Sequence, residues 1–212
     1  MRKNSLANIL AFVVLFGTSA LTQSSVLTLN RPVHIALFLV LFAAFVIVLH
    51  KKILADFFVK TSAIHTALFI AFSLLVHAVA TYTITQFSSQ PVWPVASTGT
   101  SFLLMNNYFI FVKPLDVFVQ QLLIVLLVLQ LKNKGLTLRA ITLALFVGFG
   151  LLHIFQIFKA TPAMGLAYTV FASAYALFFP YMILRVKNGF IYNYMIHLAV
   201  YDIAALIAWF LF

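Results

Sequence analysis

Seven stretches of this chain run 17 residues or longer with almost no charge: 6–22, 34–50, 63–85, 114–131, 139–158, 165–184 and 190–211. A helix crossing about 30 Å of hydrocarbon needs roughly 20 apolar residues, with about 17 as a minimum. Turn-forming and basic segments separate the stretches: Asn30-Arg31-Pro32, Lys51-Lys52, Lys132-Asn133-Lys134-Gly135, Thr161-Pro162 and Lys187-Asn188-Gly189. No stretch alternates polar with apolar residues, which argues against a transmembrane barrel. The expected fold is all-α, a polytopic transmembrane bundle of about seven spans.

Composition excludes the soluble alternatives. The chain is 65% hydrophobic and 8% charged, whereas soluble domains run about 45–50% apolar and 25% charged. Its net charge of +10 is spread thinly and forms no dense basic patch, so no nucleic-acid partner is expected. The lipid bilayer is the expected partner. With no cysteine, disulfides, thiolate metal sites and cysteine nucleophiles are excluded.

Basic residues orient the spans. With the N-terminus inside, Arg2, Lys3, Lys51, Lys52, Lys60, Lys132, Lys134, Arg139, Arg185 and Lys187 fall on the cytoplasmic side. Arg31, Lys113 and Lys159 fall outside, a split of ten to three that predicts N-in and C-out. The first stretch also has a signal-peptide reading, from Arg2-Lys3, its apolar core and Thr18-Ser19-Ala20. Cleavage there leaves the later orientation unchanged.

Residues 86–113 form the one long connection. Gln86 to Thr100 is polar, and residues 102–112 are too short to span, which suits an interfacial or re-entrant piece. Pro114 is then expected in the first turn of the fourth helix. The chain divides on this reading into 1–113, N-terminal helices plus an external loop, and 114–212, a four-helix core.

Polar side chains within apolar helices usually face the bundle interior. The fourth helix carries Asp116, Gln120 and Gln121, the fifth His153 and Gln156, the third His65 and His77. The seventh carries Asn193, His197 and Tyr201, four apart and so on one face, with Asp202 on a neighbouring face. Each taken singly reads as packing or an interhelical hydrogen bond. Histidines on separate helices, near an amide pair, point instead to a shared pocket in which His153 and His197 meet each other, Gln120 or Gln121. A zinc site from two histidines and an aspartate lacks any HxxxH or HExxH spacing, so no metal is assigned. No GxGxxG, P-loop or haem-attachment motif is present, and no cofactor is expected.

Three of these positions carry a family resemblance. Phe149-Gly150-Leu151-Leu152-His153 matches an FxxxH motif, and His197-Leu198-Ala199-Val200-Tyr201 matches the histidine of an Hxxx(N/B) motif. Some thirty residues before His153 stands Gln120-Gln121-Leu122-Leu123-Ile124-Val125, where an EExxxR motif is expected. Residues 114–211 thus resemble the CPBP family of intramembrane proteases, the CAAX protease and bacteriocin-processing family. The resemblance implies a membrane endopeptidase in which a glutamate of the first motif activates water beside the two histidines. It also implies a bacterial plasma membrane location.

Departures from the motifs decide the chemistry. The glutamate pair is Gln120-Gln121, the arginine is Val125 and the final asparagine is Tyr201. An amide keeps the shape but accepts no proton, and general-base work contributes about 10²–10⁴-fold. His153, His197, Gln120, Gln121 and Tyr201 are therefore family-equivalent positions of an impaired site. Asp116, one turn before Gln120, is the candidate for a displaced base. Three readings stay open: a non-proteolytic CPBP-like protein that binds a peptide or membrane-protein partner, as in bacteriocin immunity; an active protease using Asp116; and a small transporter or membrane-complex subunit.

Overall fold

The computed structural model describes residues 32–58, 62–87, 107–158 and 162–211. Among these residues every regular element is helical. They form α1 (Pro32–Leu49), α2 (Lys51–Phe58), α3 (Ala63–Phe87), α4 (Asn107–Asn133), α5 (Leu138–Leu145), α6 (Pro162–Arg185) and α7 (Gly189–Leu211). Four segments are long and apolar enough to cross a membrane: Ala63–Thr83, Val112–Asn133, Leu138–Phe155 and Gly165–Arg185. Ile35–Leu49 is apolar but shorter. The expected first span, 6–22, and most of the long connection lie outside the described residues.

The order of burial follows from the sequence. Within its candidate span α4 is 67% buried, against 11% for α3, which makes α4 the central element. Leu122, Leu123, Ile124, Val125 and Leu126 are all buried, so this stretch of the helix is apolar on every side because protein surrounds it. α1 brings Ala43 and Val46 against it, and α6 brings Ala172, Ala176 and Phe179 into the same core. Small residues at such contacts let helix backbones approach closely. The outer faces stay apolar too: Leu41, Phe45, Leu68, Phe72, Leu75, Val170 and Phe171 are exposed. Apolar surface of that extent suits hydrocarbon rather than water.

One local expectation is corrected and another is refined. Pro114 does not open α4 but lies inside it, because the helix already begins at Asn107. Residues 107–112, expected in an interfacial piece, are its first turns, and the 113/114 division falls within one continuous helix. Proline removes one backbone hydrogen bond without necessarily ending a helix. Likewise 139–158 is helical throughout but not uniformly α. After α5 it passes through a π-helical turn, Phe146–Gly150, and a 3-10 segment, Leu151–Phe158. Gly148-Phe149-Gly150 weakens the α preference there, and Gly150 presses against the backbone of Ser173 on α6.

The α4–α5 connection shows how directly local sequence sets the turns. Gly135, at φ +85°, follows the last turn of α4. Its N–H donates to the Lys132 carbonyl at 2.9 Å, and that of Leu136 to the Leu131 carbonyl at 3.2 Å. This bond pair is a Schellman termination, which favours glycine at that residue. Thr137 then caps α5, its hydroxyl accepting from the Ala140 N–H at 3.3 Å.

Candidate functional site: a polar seam between α4 and α7

α4 and α7 pack together, and their facing sides carry most of the polar residues singled out above. Gln121, fully buried on α4, donates from Nε2 to Nδ1 of His197 at 2.7 Å. That bond makes Nδ1 the acceptor and leaves the ring proton on Nε2. The His197 ring lies among aromatic faces: Tyr201 stacks on it at 5.3 Å and 26°, Tyr175 lies 5.3 Å away and Phe179 6.0 Å. Spacing by four on α7 brings Tyr201 onto the same stripe as His197, and α6 supplies the other two rings.

Above this contact, toward the start of α4, Lys113 is buried and donates from Nζ to Asp116 Oδ2 at 3.0 Å. The same ammonium sits 3.8 Å over the ring of Tyr201. Tyr194 donates its hydroxyl to the Pro114 carbonyl at 3.3 Å. Asp116, the candidate displaced base, is therefore held by a cation three residues away, and no hydrogen bond joins it to either histidine.

His153 takes a different position. It lies in the 3-10 segment, half-buried, and donates from Nδ1 to the carbonyl of Phe149 at 2.6 Å. Its ring meets Phe149 edge-on at 4.8 Å, and Phe149 in turn lies 6.2 Å from Phe179. A chain of aromatic rings thus joins His153 to His197 without a hydrogen bond between them. Gln120 is half-buried and bonds to neither histidine. The pocket expected for both histidines gathers His197, Gln121 and Tyr201; His153 is satisfied by its own helix.

Several atoms of the seam are left over. Gln121 Oε1 and both amide atoms of Asn193 are buried without a hydrogen-bond partner. Asn193 stands one turn before His197 on the same stripe and is fully buried. An unpartnered buried polar group costs about 1–3 kcal/mol, so Gln121 Oε1 and the Asn193 amide are the costly groups of the seam.

On its other face α7 carries Asp202, whose Oδ1 lies 2.6 Å from Nδ1 of His77 on α3, both buried. Thr81, one turn later, donates to the His77 carbonyl at 2.7 Å. The sequence reading places Asp202 on a different face from His197 but does not pair it with His77. The one available signal is that a charge in an apolar helix needs a partner. Lys113, expected as an external loop charge, instead pairs with Asp116 at i,i+3, a spacing at which helical side chains meet.

Chemically the seam is a hydrogen-bonding site. Neither His153 nor His197 touches a carboxylate, and the amide on His197 has no basic oxygen at neutral pH. Among the described residues no three His, Cys, Asp or Glu side chains converge as metal ligands would. Comparison with family models, curated proteins and solved structures finds no match.

Proposed function

We propose that this chain is a CPBP-like membrane protein without proteolytic activity, which uses the α4–α7 seam to bind an extended peptide or a segment of a membrane-protein partner. The observation that carries this reading is the Gln121–His197 hydrogen bond. An amide occupies the place where the resemblance calls for a catalytic carboxylate, and Gln121 Oε1 and both side-chain amide atoms of Asn193 lack partners. Peptide groups offer the matching donor and acceptor. A bacteriocin-immunity role is one form of such binding.

The proposal includes seven spans in the bacterial plasma membrane, N-in and C-out. Its support is the distribution of cations. Among the described residues every exposed Lys or Arg stands at one end of the bundle: Lys51, Lys52, Lys132, Lys134, Arg139, Arg185 and Lys187. Lys113, counted outside on sequence, is buried in its ion pair and carries no topological weight.

A second reading has its own observation. The buried pair His77–Asp202 and the part-buried pair Lys113–Asp116 are the kind of intramembrane ionisable groups that mark ion or proton pathways. The experiment separates the readings. Purified protein in proteoliposomes is assayed for binding and cleavage of a reporter peptide and for proton flux, with Gln121→Ala and Asp202→Asn beside wild type. Binding of a partner peptide without cleavage or flux, weakened by Gln121→Ala, supports the seam. Proton flux abolished by Asp202→Asn supports the transporter instead.

A further inference from the structure

At the basic end of the bundle, away from the seam, lies a cavity of about 520 Å³. It is lined by apolar Phe57 from α2 and Leu129 from α4, and by polar Asn133, Arg185, Lys187 and Asn188. That volume falls within the range of pockets that hold small ligands, roughly 300–1,000 Å³. α2 places Lys51 and Lys52 outward and Leu54 inward, the pattern of a helix lying at a membrane interface.

Three features give the cavity a chemistry. Arg185 and Lys187 are exposed cations at its rim. The N-terminal end of α7, a helix of 23 residues, adds a positive dipole end at Gly189. Asn188, buried and held at φ 61°, lines the cavity, and its Oδ1 has no hydrogen-bond partner. Cations and a dipole call for an anion; an orphaned carbonyl oxygen calls for a donor on the same ligand. Apolar walls beneath call for hydrocarbon.

We infer that this cavity binds the headgroup of an anionic glycerophospholipid bearing hydroxyls, of the phosphatidylglycerol type. The phosphodiester sits against Arg185 and Lys187, a headgroup hydroxyl donates to Asn188 Oδ1, and the first carbons of the lipid lie on Phe57 and Leu129. The inference rests on membrane placement of the bundle but not on peptide binding at the seam.

The test uses the full chain, purified in detergent and titrated with dioleoyl phosphatidylglycerol or phosphatidylcholine, with retained lipid read by native mass spectrometry. Phosphatidylglycerol should be retained in preference to phosphatidylcholine. Arg185→Gln with Lys187→Gln should weaken retention by about tenfold or more, since each basic residue contributes appreciably to anionic-headgroup binding. Asn188→Asp, which suits the same backbone conformation but adds a negative charge, should weaken it as well. Lys132→Gln with Lys134→Gln removes equal charge outside the cavity and should have little effect, as should Gln121→Ala in the seam. Equal losses from the two double substitutions overturn the site in favour of diffuse attraction. Absence of headgroup preference also overturns it. Displacement of the lipid by inorganic phosphate at equal concentration overturns the lipid as occupant and assigns the cavity to a free anion.

Discussion

Gln121 and His197, on α4 and α7 and 76 positions apart in sequence, share a buried hydrogen bond of 2.7 Å. The bond uses the amide Nε2, leaves Oε1 unpartnered and holds the imidazole between the rings of Tyr175 and Tyr201. An imidazole so held has its orientation fixed but nothing to pass a proton to. Wild type is therefore expected to cleave no reporter peptide. Gln121→Glu puts a carboxylate on the same ring and is expected to bring cleavage just above background, read with a fluorogenic peptide in proteoliposomes. Wild-type turnover that vanishes in Asp116→Ala would falsify the non-proteolytic reading.

The same bond sets an energetic expectation. Interhelical hydrogen bonds in membranes average about 0.6 kcal/mol and reach about 1.7. A double-mutant cycle of Gln121→Leu with His197→Leu should return a coupling in that range. Gln121→Leu with His153→Leu should be additive within about 0.5 kcal/mol, since His153 bonds only to the Phe149 carbonyl. Unfolding in mixed micelles supplies both measurements. Coupling of His153 as large as that of His197 would place both histidines in one network.

How far the sequence carries the structure can be judged residue by residue. Apolar runs mark the helices, because a helix surrounded by lipid or protein has no polar face to obscure its length. Turns are equally direct where one residue type solves the geometry, as Gly135 and Thr137 do. Pro114 misleads, because proline signals a missing hydrogen bond rather than a helix end. The change from α to π to 3-10 beyond α5 depends on how Gly150 meets Ser173, a contact between helices that no local pattern encodes. In the seam, regular spacing on α7 puts Asn193, His197 and Tyr201 on one stripe, but nothing local says that α6 contributes Tyr175 and Phe179. His77 and Asp202, 125 positions apart, were invisible as a pair for the same reason.

That pair predicts an asymmetry. His77→Leu leaves the Asp202 carboxylate buried and alone, and breaking a buried pair in this way costs about 3–5 kcal/mol. Asp202→Leu leaves an imidazole that can remain neutral, at a cost of about 1–3 kcal/mol. The double substitution should recover most of either loss. Equal effects of the two single substitutions would contradict this asymmetry.

Packing at the α6–α7 turn makes a sharper contrast between two glycines. A Cβ at Gly189 would lie 1.8 Å from the Met182 carbonyl oxygen, so Gly189→Ala must displace backbone. Overpacking of this kind costs typically about 1–3 kcal/mol. A Cβ at Gly148 meets nothing within 4 Å, and Gly148→Ala should be neutral or stabilising by about 0.5–1 kcal/mol. Thermal denaturation in one detergent ranks the two variants, and the reverse ranking would contradict the close approach at Gly189.

Topology can be read chemically, because the chain has no cysteine of its own. Lys52, Lys134 and Lys187 are exposed and stand at the basic end, around the α2, α4–α5 and α6–α7 junctions. Positive charge is retained on the cytoplasmic side during insertion, so single cysteines replacing them should react with a membrane-impermeant maleimide only after cells are permeabilised. A cysteine appended after Phe212 should react in intact cells if α7, which separates it from Lys187, crosses as proposed. Labelling of all four from the same side would show that α7, the one helix between Lys187 and Phe212, does not cross the membrane. Labelling of the three lysine sites from outside would invert the bundle and remove the cation distribution as a guide to its orientation.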